Sequence, residues 1–359
     1  MQFLFKPRPK TPRELVKGTR DAVLRLELLR LEREADKKKL HEEIVKNLSA
    51  MRNILTGTPN ASSSSSGSGS SGGIGGGSGG DHVTDAAVLA EQQHQLIQEA
   101  IAMDLLPLLI VNLSRLDLEL RKDVVGVFSA MLRRKMSSVE YVANYRDHSI
   151  INGLILGYEN QLIATNCGSM LRECAKHEQL ARIALYSPHF YRFFDYMELP
   201  TFDVSSDAYT TFRELLTRHK RMAAEFLQQN YDKFFTTHYS RLLAPESSYL
   251  TKRQSLKLLG EILLERESYA IMMRYIGVVD NLKTTMTLLG SKSKNIPFEA
   301  FHVFKIFVAN PDKTPEVLDI LRRNKAKLLA FLKDFQNARD ENEMFADEKA
   351  FLIKNIEQL

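Results

Sequence analysis

The sequence predicts an all-α fold built from repeated helical units, and three observations support this prediction. Nine of the eighteen glycines lie in residues 61–80, which leaves nine in the other 339 positions and favours helices over a turn-rich sheet. Apolar residues recur at helical spacing along most of the chain, with no convincing strand-like alternation. Side chains of similar kind also return at matching places on successive helices, 41 to 47 residues apart.

Residues 1–57 are predicted to form helices that cap the repeats. Thr11 is a suitable helix cap, and Glu14 can accept a hydrogen bond from the amide of that cap residue. A second amphipathic stretch covers residues 37–55, and Gly57 is expected to end it. The net positive charge of the chain also comes from this segment.

Residues 58–81 are predicted to be a flexible insertion. The stretch is rich in Ser and Gly, and Ile74 is its one apolar residue after Ala61, so it cannot bury a core of its own. The residues that follow, 82–359, resume helical patterning and are predicted to be helical repeats that form a concave groove.

The distribution of charge argues against nucleic-acid binding. Residues 1–60 contain 14 Lys and Arg against 8 Asp and Glu, a surplus of six, whereas the whole chain has a net charge of +5. Since residues 61–80 are uncharged, the remainder carries a net charge of about −1. A nucleic-acid binder would concentrate positive charge on its binding element, and the predicted repeats do not.

Five segments fit one repeat pattern, which begins at a polar residue near the start of a long helix. A small residue follows at once, and two mostly bulky apolar residues come five and eight positions after the polar one. The start-to-start spacings of 43, 41, 47 and 45 residues are typical of HEAT and armadillo repeats, whose apolar stripes are buried by stacking. The polar starting residues are Asp123, Asn166, Asp207, Gln254 and Glu299.

The sequence offers no catalytic or cofactor-binding motif. It lacks the phosphate-binding loop, the metalloprotease helix, the serine hydrolase elbow and the kinase motifs. Cys167 and Cys174 are predicted to be core residues, and no His or acidic spacing fits zinc or calcium. We therefore expect no enzyme activity, no catalytic residue, no cofactor and no metal.

No segment looks like a membrane span or a secretory signal. The longest strongly apolar run covers residues 105–114, which is far short of a membrane crossing and contains Pro107. The first residues lack an apolar core followed by a cleavage site. These features predict a cytoplasmic protein without a membrane span.

Four stretches closely resemble the calcium-binding protein 39 (Mo25-like) family, which includes fungal HymA-type proteins. They read NCGSMLREC (166–174), TFDVSSDAYTTFRELLTRHK (201–220), TKRQSLKLLGE (251–261) and FEAFHVFKIFVANPDKT (298–314). The resemblance implies an armadillo-like right-handed superhelix without catalytic activity, which acts as a monomeric scaffold. It also implies a partner that is an STE or germinal-centre kinase or a related pseudokinase, and a role with NDR-type kinases in polarity and morphogenesis signalling.

The resemblance also implies two binding surfaces. Phe202 and Arg253 match positions on the concave face that contact a kinase domain. A carboxy-terminal pocket for a Trp-Glu-Phe tail of the partner is the second surface, and Arg323 differs from the Lys that is common there. The residues that match this peptide-tail pocket are Lys257, Arg266, Met286, Arg323 and Lys327.

Two other functions remain open at this point. A HEAT-type assembly or transport adaptor would have the same repeats but different partners. An RNA-binding repeat protein would need base-facing side chains that recur in every unit. The positions two after each polar start do not form such a column, since they hold Val125, Gly168, Tyr209, Leu256 and Phe301.

Overall fold

The computed structural model of the chain describes residues 8–28, 34–58, 81–293, 295–335 and 343–359. Every regular element within these ranges is a helix, so the all-α prediction is confirmed. The chain divides into two compact units, which we call the amino-terminal unit (Met1–Phe190) and the carboxy-terminal unit (Tyr191–Leu359).

The amino-terminal unit begins with the predicted capped helix. The amide of Thr11 donates to Oε2 of Glu14 at 2.8 Å, and the Glu14 amide donates back to Oγ1 of Thr11 at 3.3 Å. The next helix ends before Gly57, whose φ of 73° suits glycine. The helices of this unit are α1 (Pro12–Leu28), α2 (Glu34–Thr56), α3 (Asp81–Ala102), α4 (Leu105–Val111), α5 (Leu118–Arg134), α6 (Met136–Asn144), α7 (Ser149–Leu156), α8 (Ala164–Cys174) and α9 (Glu178–Tyr186).

The carboxy-terminal unit contains a π-helix, Asp232–Tyr239, between two α-helices. Phe234, Phe235 and Tyr239 of this π-helix are buried and belong to a large cluster of aromatic rings. The α-helices of the unit are α10 (Phe193–Tyr196), α11 (Phe202–Thr217), α12 (Lys220–Gln229), α13 (Ser240–Leu242), α14 (Tyr249–Leu264), α15 (Tyr269–Ile276), α16 (Val279–Leu289), α17 (Ile296–Ala309), α18 (Pro315–Asp334) and α19 (Glu343–Glu357).

The five predicted repeat segments fall on α5, α8, α11, α14 and α17. Helices α2, α5 and α8 pack in succession in the amino-terminal unit, and α11, α14 and α17 do so in the carboxy-terminal unit. All the small and apolar residues of the pattern are at most 3% exposed, as the stacking model requires. The helical-repeat prediction is therefore confirmed, whereas the right-handed superhelix stays a prediction.

A small residue of the pattern allows close packing in one clear case. A methyl group added to Gly157 would overlap Sγ of Cys167, the small residue of the second repeat segment. Cys167 and Cys174 are both buried and form no disulfide, as the sequence predicted. The close approach of these chain segments thus depends on small side chains on both sides.

The predicted flexible insertion lies almost entirely outside the described residues. Only its first residue, Thr58, and its last, Asp81, are described, and Asp81 already begins α3. The insertion and the other predicted domain boundaries therefore stay predictions.

In the described ranges, no helix taken alone combines the length and the apolar character that crossing a membrane requires. The segments Asp85–Ala102 and Leu105–Val111 meet the requirement of length and composition as a pair, with a 61° bend between them.

Candidate protein-binding surface

Phe202 lies at the start of α11, which packs against α14 in the carboxy-terminal unit. It is the first residue of α11 and is 64% exposed. The Tyr209 hydroxyl of α11 donates to the Gln254 carbonyl of α14 at 3.0 Å, and Arg213 of α11 pairs with Glu261 of α14 at 2.9 Å. Both links advance in the same direction, so the two helices run parallel. Phe202 precedes Tyr209 by two turns, which places it on the same stripe and about 10 Å away along the helix axis.

Arg253 is both an exposed cation and part of a link between repeats. Its Nε lies 3.5 Å from Oε1 of Glu299 on α17, and the Arg253 side chain is 45% exposed. The Glu299 carboxylate is largely buried, so it holds the guanidinium in place while leaving other N–H groups accessible. An exposed aromatic ring and a fixed guanidinium are side chains that contribute strongly to protein interfaces.

The predicted peptide-tail residues occur on two pairs of elements. Lys257 lies one turn after Arg253 on α14, and Arg266 begins the 3₁₀ turn that follows that helix. Both side chains are exposed, and neither pairs with a carboxylate in the described ranges. Met286 is half-buried on α16, which packs against α18. The five residues thus belong to two groups of elements: the α14 group, which is α14 and the turn after it, and the α16–α18 group.

Arg323 and Lys327 are one turn apart on α18, and both are exposed. The guanidinium of Arg323 is bidentate to Asp319, with Nε 3.0 Å from Oδ1 and Nη2 2.7 Å from Oδ2. A carboxylate ligand at this position would therefore compete with Asp319. An Arg can form this two-contact pairing with a carboxylate, whereas a Lys at the same position could not.

An apolar cavity of about 470 Å³ lies beside Arg266, and the sequence did not predict it. Its rim contains three exposed large side chains, Leu264, Tyr269 and Phe351, which are each more than half exposed. Exposed apolar residues that surround a cavity are typical of protein contacts, but they can be found only once the burial is known. Its further lining residues are Met272, Met273, Ile276, Lys305, Ile306, Ala309, Asn310, Pro311, Asp312 and Glu348.

Sequence reasoning also missed a series of ion pairs that join successive repeat helices. Each pair connects an Arg or Lys to a carboxylate on the next helix of the stack. In all the pairs but Arg133–Glu173, the two partners are 43 to 71 residues apart in the sequence. Such a distant partner leaves no local signal in the sequence. The pairs in addition to Arg253–Glu299 are Arg52–Asp123 (2.7 Å), Arg133–Glu173 (2.8 Å), Arg213–Glu261 (2.9 Å) and Lys305–Glu348 (2.6 Å).

The pKa values of two of these carboxylates are shifted in opposite directions. Burial raises the pKa of Asp123 despite the opposing charge of Arg52. For Glu173, burial acts in the same direction, but hydrogen bonds from Arg133 and Lys176 outweigh it, so the pKa of Glu173 is lowered. These shifts belong to contacts between repeats and give no sign of acid–base chemistry.

The described residues hold little that could perform catalysis or bind a metal. Among them, no group of three or more His, Cys, Asp or Glu side chains is arranged to hold a metal ion. Burial raises the pKa of the Cys174 thiol, which makes it a poor nucleophile. The arrangement is suited to contact with another molecule through exposed apolar and cationic side chains.

Comparison with known proteins identifies the family. A family model described as Mo25-like matches residues 3–359. The chain belongs to the Mo25-like family. It is 45% identical over 362 residues to the mouse protein named calcium-binding protein 39-like, a match that covers 99% of this chain and 97% of the relative. The family prediction is thus confirmed.

Two fungal relatives match over all or nearly all of their length. The Mo25-like protein of Schizosaccharomyces pombe is 42% identical over 364 residues, which covers 100% of both chains. The conidiophore development protein hymA of Emericella nidulans is 37% identical over 391 residues, which covers 100% of this chain and 94% of the relative. This Mo25-like chain is accordingly a helical-repeat scaffold of the Mo25 type, with another protein as its ligand.

Proposed function

We propose that the chain is a non-catalytic cytoplasmic scaffold that binds and allosterically activates a protein kinase. The partner is a germinal-centre or STE-type kinase, or its pseudokinase relative, and the setting is polarity and morphogenesis signalling. The observation that carries the proposal is the surface of Phe202 and Arg253, where an exposed ring and a fixed guanidinium lie on adjacent stacked helices. Membership of the Mo25-like family supports the same partner class.

The proposed activation is a shift in the population of kinase conformations. An active kinase needs an ion pair between a strand Lys and a Glu of helix αC, and that helix is mobile. A scaffold that binds the closed arrangement more tightly increases its population in proportion to the difference in affinity. A preference of about 2.7 kcal/mol would change the ratio roughly a hundredfold.

The second part of the proposal concerns the peptide-tail pocket formed by Lys257, Arg266, Met286, Arg323 and Lys327. The cationic residues would bind the carboxylate of a Trp-Glu-Phe tail, and the apolar surface near Met286 would take an aromatic ring. Binding of the tail would tether the kinase and raise its local concentration at Phe202 and Arg253. The apolar cavity beside Arg266 adds room for a ring in the α14 group.

Replacement of Arg253 tests the kinase surface. We expect Arg253→Ala to lower activation of a purified germinal-centre kinase about tenfold at limiting scaffold, because a central Arg contact is lost. The free energy of unfolding should change by less than about 1 kcal/mol, since the Arg253 side chain is 45% exposed and its Nε lies 3.5 Å from Glu299.

Arg213→Ala is the matched control for Arg253→Ala. Arg213 is also 45% exposed and also links two repeat helices, through Glu261. Equal loss of activation in both variants would mean that the effect comes from the stacking of repeats. Full activation by Arg253→Ala would exclude the proposed kinase surface.

Replacement of Met286 tests the peptide-tail pocket. We expect Met286→Ala to weaken binding of a labelled Trp-Glu-Phe peptide about tenfold in a fluorescence anisotropy titration, because an apolar contact to a ring is removed. Met344→Ala, which changes a methionine that is 70% exposed elsewhere in the unit, should leave the affinity unchanged. Equal affinities of all three proteins would contradict the pocket assignment.

A further inference from the structure

A large cavity in the amino-terminal unit has an unusual balance of charge. It has a volume of about 1050 Å³ and lies between the segment that leads into α1, the helix α2 and the middle of α3. Lys10, Arg13 and Lys46 line it, and none of the described residues of its lining is Asp or Glu. All three cationic side chains are exposed to solvent. The cavity is larger than the usual range of small-molecule sites.

Other cavities of the described chain contain acids beside their cations. The 470 Å³ cavity beside Arg266 contains Lys305 together with Glu348, to which it is paired at 2.6 Å. A cavity of about 390 Å³ between α11 and α14 contains Arg213 together with Glu261. The excess of positive charge is thus a feature of the amino-terminal cavity and not of cavities in this fold generally.

The three cations of the amino-terminal cavity have no carboxylate partner in the described ranges. Nζ of Lys10 donates to Oδ1 of Asn47 at 2.9 Å, and Asn47 is only 1% exposed, so a buried amide positions the ammonium. Glu14, a nearby acid on α1, is already bonded to Arg8 at 2.6 Å and to the Thr11 amide. None of the three cavity cations is therefore held in an ion pair by the described residues, which leaves all three available to an anionic ligand.

The rest of the lining suits a peptide. Leu15, Ile54 and Leu89 supply apolar surface, on which the side chain of a ligand can pack. Gln92 and Gln95 are exposed amides, which can both donate to and accept from a peptide backbone. Cations from two separate segments, the start of α1 and the helix α2, match several carboxylates spread along an extended chain.

We propose that this cavity is a docking site for an acidic segment of a partner protein, in which Asp or Glu alternates with apolar residues. The inference rests on charge complementarity and does not depend on the proposed function. All residues of the kinase and peptide-tail surfaces lie in the carboxy-terminal unit, whereas this cavity lies wholly in the amino-terminal unit. A partner could therefore be bound here without Phe202 or Arg253.

The test measures binding of the full-length chain to a fluorescein-labelled eight-residue peptide of alternating Glu and Leu, in low salt. We expect saturable binding, and affinity about tenfold lower for Arg13→Glu/Lys46→Glu, which reverses two cavity charges. The matched control is Lys17→Glu/Lys39→Glu, which makes the same charge change on the same two helices outside the cavity. It should lower the affinity less than threefold.

A second measurement guards against misfolding of the charge-reversed variant. A peptide of alternating Lys and Leu should bind Arg13→Glu/Lys46→Glu more tightly than it binds the unchanged chain. An unfolded variant would not show saturable binding of this peptide. Equal losses in both double variants would overturn the proposal, as would equal affinity for a Gln-Leu peptide. Tighter binding of a single-stranded oligonucleotide that displaces the Glu-Leu peptide would overturn it too.

Discussion

The two units bury different kinds of side chain between their helices. Of the twelve largest fully buried side chains in the described ranges, nine lie in the carboxy-terminal unit, and three lie in the amino-terminal unit. In the amino-terminal unit, two well-buried carboxylates, Asp123 and Glu173, join successive helices through Arg52 and Arg133. In the carboxy-terminal unit, the linking acids Glu261 and Glu348 are more exposed, Glu299 is as buried as Asp123, and aromatic rings fill the core.

This comparison shows that one repeat pattern can be stabilised in two ways. Both units place small and apolar residues of the pattern against the next helix, so the geometry of stacking is similar. The interior between the stacked helices is then filled mainly by aliphatic side chains in the amino-terminal unit and by many aromatic rings in the carboxy-terminal unit, while buried carboxylates link helices in both. The two solutions differ in their sensitivity to cavities, to overpacking and to pH.

The largest expected effect is in the aromatic core of the carboxy-terminal unit. Phe234 has ring contacts to five aromatic side chains, with centroid distances from 4.9 to 6.4 Å. We expect Phe234→Ala to lower the free energy of unfolding by about 4 kcal/mol, because it leaves a cavity that the rings cannot fill. Urea unfolding followed by circular dichroism measures this. A loss below about 1 kcal/mol, comparable to that of the half-exposed Phe351→Ala, would contradict the comparison.

A smaller effect is expected from overpacking in the amino-terminal unit. Gly157→Ala should cost about 2 kcal/mol of unfolding free energy, since its methyl group would overlap Sγ of Cys167. Gly153→Ala is the control in the preceding helix, where an added methyl group meets nothing within 4 Å. That change should stabilise the chain by about 0.7 kcal/mol through helix propensity. Thermal or urea unfolding of both variants checks the pair, and equal effects would show that the close approach is not required.

The smallest effect is a difference in the pH at which each unit loses stability. Burial, with the nearby charges of Arg241 and Lys233, lowers the pKa of His238 in the carboxy-terminal unit. Because the folded state disfavours protonation of His238, the neutral side chain contributes stability above the ordinary pKa of about 6.5. This stability is lost as the pH falls below that value. We expect wild type to lose stability relative to His238→Gln between pH 7.5 and pH 5.5.

The corresponding contribution of Glu173 in the amino-terminal unit should be lost only at lower pH. Its pKa is lowered, so its stabilisation is complete above about pH 4.5 and disappears as the pH falls through the folded-state value. The stability difference between wild type and Glu173→Gln should thus stay constant from pH 7.5 to pH 5.5 and shrink below pH 4.5. Urea unfolding at several pH values would measure both variants. A reversed order of the two pH windows would refute this assignment of the two groups.

Much of the fold could be predicted because its signals are local. The capping pair of Thr11 and Glu14 and the helix stop at Gly57 lie within a few residues of the structures they specify. The predicted kinase and peptide-tail residues are exposed or half-buried, so they are accessible to a partner. The kinase residues fall on the adjacent helices α11 and α14, whereas the peptide-tail residues are divided between α14 with its following turn and the contacting helices α16 and α18. The ionic contacts of the site residues could not be predicted in the same way. The pairing of Arg323 with Asp319, for example, depends on side-chain rotamers and not on spacing alone.

The sequence by itself determined the helical repeats, their period and the residues that face the core, because apolar periodicity acts along a single helix. The tertiary structure alone decided which cations are paired and which are left without an acid. Arg253 and Glu299 are 46 positions apart, and their contact depends on the packing of two helices rather than on any neighbouring residue. The same reason explains the uncompensated cations around the amino-terminal cavity: electrostatic pairing depends on distances in space, which a linear pattern does not contain.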